Sequence, residues 1–226
     1  MPTRSTGARA RLTRERVLLA ARDLADADGV ETLTMRRLAE SLGVEAMSLY
    51  HHVPNKDAIL DGLVELVFTE IEGEVGGFGS TSTPDTWRDD LRVRILGARR
   101  VLLRHPWLPG LLEARAVLAP TMARYVDGVV GLMRDGGLSY DLVHHALHAL
   151  GSRMYGFTQE LRLDDPDGGA TEIDPAMLAT VPNLAGMLAE VVHDDPGSTL
   201  GWCDDQSEFE FGLDLLLDGL ERLGRR

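Results

Sequence analysis

The sequence predicts an all-α protein in two parts, on three observations. Apolar residues recur at helical spacing along nearly the whole chain, with no strand-like alternation and no internal repeat. Thr, Asn, Gly and Pro punctuate that pattern where helices would start and stop. Charge is divided unevenly: the 226-residue chain carries net −13, yet residues 1–57 hold nine Arg/Lys against eight Asp/Glu, and the remainder fourteen against twenty-eight. The first part can approach phosphate; the rest would be repelled by it.

The elements follow in order. Val17, Ala20, Ala21, Leu24 and Ala25 line one face of a first helix, with Thr13 as N-cap and Gly29 as stop. Thr34 caps a short second helix ending near Leu42, where Gly43 supplies a left-handed turn. A third short helix is expected over about 45–52. Pro54 and Asn55 break the chain, and Asn55 caps a fourth helix carrying Ile59, Leu60, Leu63, Val64, Val67 and Ile71. "GEVGGFGSTSTP", residues 73–84, reads as a connector. Helices are expected beyond it over about 85–104, 107–116, 120–135 and 139–161, with Pro120 at a first helical position. From 164 to 206 the chain turns acidic and irregular, with one short helix near 184–192. The last helix, about 209–223, carries Phe209, Phe211, Leu213, Leu215, Leu216, Leu217, Leu220 and Leu223, more apolar surface than a monomer exterior tolerates. The expected organisation is a basic tail over 1–12, a helical domain over 13–72, and a larger helical domain over 84–226.

Several classes are disfavoured by what is missing. No apolar run approaches the ~20 residues of a membrane-spanning helix. The arginine-rich N-terminal stretch has no apolar core segment, so no secretory signal and a cytoplasmic location are expected. The one cysteine, Cys203, excludes an intramolecular disulfide framework and a cysteine zinc site. There is no nucleophile elbow, phosphate loop or paired-carboxylate constellation, so no catalytic residue, cofactor or metal ion is expected.

The positive signal is the pair of short helices joined at Gly43, the helix-turn-helix pattern. Leu38, Leu42, Val44 and Leu49 would hold the pair together, with Ala39 small at the crossing. Arg36 and Arg37 sit in the first turn of one helix and Lys56, the only lysine, at the start of another, where the helix dipole disfavours cations. A bound anion at each terminus removes that conflict, and duplex DNA presents such anions at regular spacing. Between these anchors, Ala46, Met47 and Ser48 occupy the end of the helix that enters the major groove in such motifs. Met47 and Ala46 suit a thymine methyl, Ser48 a base edge or phosphate, and Tyr50, His51 and His52 the backbone. With Thr34, these are the candidate DNA-facing residues. No Arg or Asn is poised for bidentate base reading.

The run "LADADGVETLTMRRLAESLGVEAMSLYHHVPNKDAILDGLVE" resembles the DNA-binding domain of TetR-family transcriptional repressors over roughly 13–67. The resemblance is strongest to the tetracycline-repressor branch. It extends to "GLSYDLVHHALHALGSRMYGFTQE", similar to that branch's eighth helix, and to "FEFGLDLLLDGLERL", similar to its closing helix. It implies a homodimer through helices over about 139–161 and 209–223, a palindromic operator, and release by a small-molecule inducer held in the second domain. The branch's magnesium-chelating histidine is matched here by Val117, so an inducer other than magnesium–tetracycline is implied. The fifth- and seventh-helix pocket positions read as Arg94, Ala98 and Val129, with Arg94 a cationic handle for an anionic group. His105, Trp107, Met122, Tyr125, His148, Ser152 and Tyr155 are further lining candidates, with core packing the alternative for Trp107, Met122 and Tyr125. A second trigger stays open: a metal- or redox-responsive regulator using His144, His148 or Cys203, since His144 and His148 stand four residues apart on one helix.

Overall fold

The computed structural model describes residues 11–79, 82–115, 119–156, 175–183, 185–186 and 205–225. They form two compact units, residues 1–136 and 137–226.

Local capping chemistry sets the start of the first unit. Thr13 Oγ1 accepts from the Arg16 amide at 3.1 Å and opens α1, Arg14–Asp28. A single 3-10 turn, Val30–Thr32, leads to Thr34, whose Oγ1 accepts from the Arg37 amide at 3.2 Å and opens α2, Met35–Leu42. Gly43 then adopts φ 66°, and the Val44 amide donates back to the Ala39 carbonyl at 3.0 Å. This is the glycine C-cap that reverses a chain at minimal steric cost. The next helix, α3, is Ala46–Leu49. It is shorter than the sequence predicts: Tyr50, His51 and His52 lie in a turn closed by the His52 and Val53 amides donating to Leu49. Pro54 disfavours helical backbone at the residue before it, and one three-residue and one four-residue hydrogen bond to Leu49 finish the segment. Asn55 Oδ1 accepts from the Ala58 amide at 2.8 Å and opens α4, Lys56–Glu74.

Val17, Leu18, Ala21, Leu33, Leu38, Leu49, Val53, Ile59 and Leu63 are buried together as the core of this head. Each such aliphatic side chain contributes about 1.5–3 kcal/mol relative to exposure.

Helices α5, Trp87–Arg104, α6, Leu108–Ala114, and α7, Pro120–Asp135, complete the first unit. α4 packs against both α5 and α7. Phe68 of α4 and Phe78 of the connector approach the Tyr125 ring with centroids 5.8 and 5.4 Å away. The wet face of α4 is acidic, and arginines behind it answer: Arg100 to Glu74 at 2.9 Å, Arg104 to Glu70 at 2.6 Å, Arg124 to Glu72 at 3.0 Å. Arg115, after α6, reaches Asp57 and Asp61 in the first two turns of α4, both at 2.8 Å. These pairs engage five carboxylates of α4: Asp57, Asp61, Glu70, Glu72 and Glu74.

In the second unit α8, Tyr140–Gly156, packs along α10, Asp205–Gly224; a short helix, α9, spans Pro175–Leu178. Val143, Ala146 and Leu150 are buried with Phe209, Leu213 and Leu217. α10 starts four residues earlier than the sequence predicts. Most of the helix expected near 184–192 lies outside the described residues, as do 157–161. Among the described residues the structure is all-α, and no helix is long and apolar enough to cross a membrane.

Candidate nucleic-acid interface

The α2–turn–α3 pair presents its polar side outward. Leu49 is buried and anchors α3 to the head, which leaves the preceding residues facing solvent. Met47 is 73% exposed, the most open large apolar side chain among the described residues. Ala46 and Ser48 flank it, half-buried. Tyr50 and His51 are exposed just beyond α3, and His52 is half-buried.

The cations around this edge differ in what holds them. Arg36 points into solvent, and its Nε donates to Glu40 Oε1 at 2.9 Å; that hydrogen bond is the main reason its pKa lies above the ordinary arginine value. Arg37 donates to Asp28 Oδ2 at 2.6 Å and to the Thr32 carbonyl at 3.2 Å. The conflict between these arginines and the α2 dipole, expected to be relieved by a bound anion, is already eased by carboxylates of the chain itself. Lys56 makes no ion pair among the described residues and stands at the α4 N-terminus, beside the amides of its first turn. Thr34 is exposed, with its hydroxyl oxygen engaged as the α2 cap.

The candidate ligand residues divide. Ala98, Tyr125 and Val129 are buried between α5 and α7, and Met122 is half-buried on α7. Arg94 is buried too, but its guanidinium is occupied: it donates to the Phe78 carbonyl at 3.0 Å and the Gly79 carbonyl at 2.8 Å. Burial is the main influence on Arg94 and lowers its pKa. It therefore staples the connector to α5. Gly128 makes that staple possible, because a Cβ there would come within 2.3 Å of the Phe78 carbonyl oxygen and 2.4 Å of the guanidinium. Arg94 also lines an open cleft of about 290 Å³, together with Val75, Gly77, Ser82, Asp90 and Leu132.

His105 and Trp107 are displaced furthest from expectation. They turn their polar atoms toward Asp26 of α1 and Glu70 of α4 instead of lining that cleft. His105 Nδ1 lies 2.7 Å from Asp26 Oδ1 and Nε2 3.1 Å from Glu70 Oε2, while Trp107 Nε1 donates to Asp26 Oδ1 at 2.7 Å. No local sequence signal marks this grouping, since the partners stand 79, 35 and 81 residues apart. For Glu70, burial is the largest single influence and acts upward, but the hydrogen bonds from Arg104 and His105 together outweigh it and hold the carboxyl below its ordinary range.

On α8, His148 and Ser152 are exposed; the Tyr155 side chain, Val117 and Cys203 lie outside the described residues. The His144 and His148 rings stack edge-on with centroids 4.7 Å apart, but no group of three or more His, Cys, Asp or Glu that could hold a metal occurs among the described residues.

Known proteins share this arrangement. A model of the tetracyclin repressor-like C-terminal domain matches residues 81–223, and a model of bacterial regulatory proteins of the tetR family matches residues 17–63. The chain is 32% identical over 227 residues to the HTH-type transcriptional repressor DrrR1 of Streptomyces coeruleorubidus, across 97% of this chain and 81% of that protein. It is 40% identical over 215 residues to the class D tetracycline repressor protein of Escherichia coli, across 94% of this chain and 90% of that one. The solved structure of the Streptomyces coelicolor TetR family protein ActR in complex with actinorhodin superposes with a TM-score of 0.68 at 27% identity, over 93% of this chain and 97% of that one. With its helix-turn-helix, its all-α architecture and matches spanning most of its length, the chain belongs to the TetR family of bacterial transcriptional regulators.

Proposed function

We propose that the protein is a repressor that binds a palindromic operator as a homodimer and is released by an organic small molecule. The observation that carries the DNA reading is the outward face of α3. Met47 stands in solvent with Ala46 and Ser48 beside it, between Lys56 at the α4 N-terminus and Arg36 on α2. An exposed methionine suits a thymine methyl in the major groove, and the flanking cations suit phosphates on either side.

The dimer reading is supported by the second unit. Phe211, Leu215 and Leu223 of α10 stay exposed, beside an apolar groove of about 220 Å³ that runs between α10 and Leu142, Ala146 and Ala149 of α8. A palindromic operator presents two half-sites about 34–36 Å apart, one for the α3 helix of each chain of such a pair. The inducer reading is supported by the relatives, one of them solved with actinorhodin bound. Val117 in place of a magnesium-chelating histidine favours a ligand other than magnesium–tetracycline. Ala98, Met122, Tyr125 and Val129 are the residues proposed to meet it within the first unit. A ligand that prefers one arrangement of the heads must weaken operator binding by the same coupling energy, typically about 1–3 kcal/mol.

The test is fluorescence anisotropy with a labelled palindrome from the DNA flanking the coding region, at two salt concentrations. Tight binding that weakens steeply with salt and is lost in Met47→Asp is the expected result. Equal affinity for the palindrome and for scrambled DNA would overturn the operator reading.

A further inference from the structure

His105 follows the last residue of α5, is 4% exposed, and has a carboxylate oxygen opposite each ring nitrogen. A neutral imidazole has one N–H and one bare nitrogen, so it can satisfy one of two facing acceptors and sets lone pair against lone pair at the other. The two carboxylates are already committed as acceptors. Asp26 Oδ1 takes the Trp107 indole N–H, a group that only donates, and Glu70 Oε1 takes two guanidinium N–H groups of Arg104, at 3.0 and 2.6 Å. The ring must then supply an N–H on both sides, which only the imidazolium does.

The charge around it agrees. From α1, Asp26 faces the ring, with Arg22 3.9 Å behind it and Asp23 2.7 Å from Arg22. From α4 come Glu70 and Glu74, and from α5 Arg104 and Arg100, both paired with those acids. Asp26 and Glu70 are the two carboxylates that meet the ring itself. Trp107 covers one side, with its ring 5.8 Å from the imidazole.

We propose that His105 is a proton-dependent tie: doubly protonated, it binds α1 and α4 to the corner between α5 and α6, and loss of one ring proton releases that corner. The sign follows from the geometry. The charged form closes the tie, so the tie is present at lower pH and is lost as pH rises. At the acid end it needs Glu70 ionised; with Glu70 held below its ordinary range, that contribution persists above the usual carboxylate pKa of about 4.3 and fails as pH falls through the depressed value. The device makes the mobility of the helices behind the DNA-binding head a function of pH.

Two variants separate the outcomes. His105→Gln carries both of its N–H donors on one nitrogen, cannot set them opposite both carboxylates, and leaves the tie open at every pH. Glu70→Gln places an amide that can donate to a bare ring nitrogen, so the tie survives loss of the proton. The experiment is amide hydrogen exchange of the full-length protein, read by mass spectrometry on peptides from 22–28 and 66–74, from mildly acidic to mildly alkaline buffer after correction for intrinsic exchange. In the wild type, protection of both peptides is expected to fall by about tenfold as pH rises, a charge-assisted hydrogen bond's share. His105→Gln is expected to be unprotected throughout and Glu70→Gln protected throughout. Wild-type protection that does not change with pH, or a Glu70→Gln protein that loses protection like the wild type, would overturn the proposal. Should His105→Gln not fold, nitrogen-15 spectra of histidine-labelled wild type decide: protons on both His105 ring nitrogens at neutral pH support the tie, and a proton on one refutes it. These readouts need no DNA, so their failure leaves the repressor reading where it stands.

Discussion

Arg36 and Arg37 are chain neighbours with different surroundings, because adjacent helical side chains diverge by about 100°. Arg37 turns back to Asp28 and the Thr32 carbonyl and fastens the start of α2 to the end of α1. Arg36 faces out with only Glu40, itself exposed, as partner. Lys56 has no such ion pair among the described residues. The three cations are therefore expected to separate in two measurements. Lys56→Ala should reduce the slope of log affinity against log salt by about 1 on the proposed operator, as loss of one phosphate contact does, and leave the urea midpoint unchanged. Arg37→Ala should lower the midpoint, through loss of its bond to Asp28. A Lys56→Ala protein with an unchanged salt slope would remove Lys56 from the proposed phosphate contacts.

At the scale of elements, the caps were the most legible part of the chain. Thr13, Thr34 and Asn55 each carry a side-chain oxygen that satisfies an amide two or three residues into a helix, and nothing distant competes for those oxygens. Gly43 was legible for the same reason, since only a local left-handed turn joins α2 to α3. The length of α3 was less so, because the chain closes Tyr50–His52 with a turn back to the Leu49 carbonyl that apolar periodicity does not encode. The partners of His105, Trp107 and Arg94 were not legible, because residue type alone, a histidine, a tryptophan and an arginine in a helical body, does not say whether a polar tip faces a cavity or a distant carboxylate or carbonyl. Those partners are settled by packing between helices far apart in sequence. The capping argument makes its own prediction: Thr34→Ala should cost about 0.5–2 kcal/mol, and Gly43→Ala about 1–2 kcal/mol by forcing a Cβ into φ 66°. Urea unfolding of the two proteins checks both. If Gly43→Ala matched the wild type, the turn would not need its left-handed residue.

At the scale of the whole molecule, two kinds of surface should respond oppositely to salt. The proposed DNA-facing edge works through Lys56 and Arg36, whose attraction for phosphate is screened and weakened by counterions. The exposed stripe of α10 works through Phe211, Leu215 and Leu223, and burial of such apolar surface does not weaken with ionic strength. A stable pair of chains needs about 800 Å² buried on each, and a face that exposes large side chains over several turns of a helix, next to an apolar groove, offers the complementarity for it. Two acidic chains, each net −13, also repel one another, so added salt should if anything tighten the pair. The expected outcome is a particle of twice the chain mass by sedimentation equilibrium, unchanged or firmer as salt rises, while operator affinity falls. Leu215→Glu puts a charge in the middle of the stripe without touching the buried seam of Phe209, Leu213 and Leu217, so α10 should still fold against α8. That variant should sediment as one chain and bind the palindrome far more weakly, because two half-sites are then read by separate molecules. A Leu215→Glu protein that stays at twice the chain mass would place the interface elsewhere on the molecule.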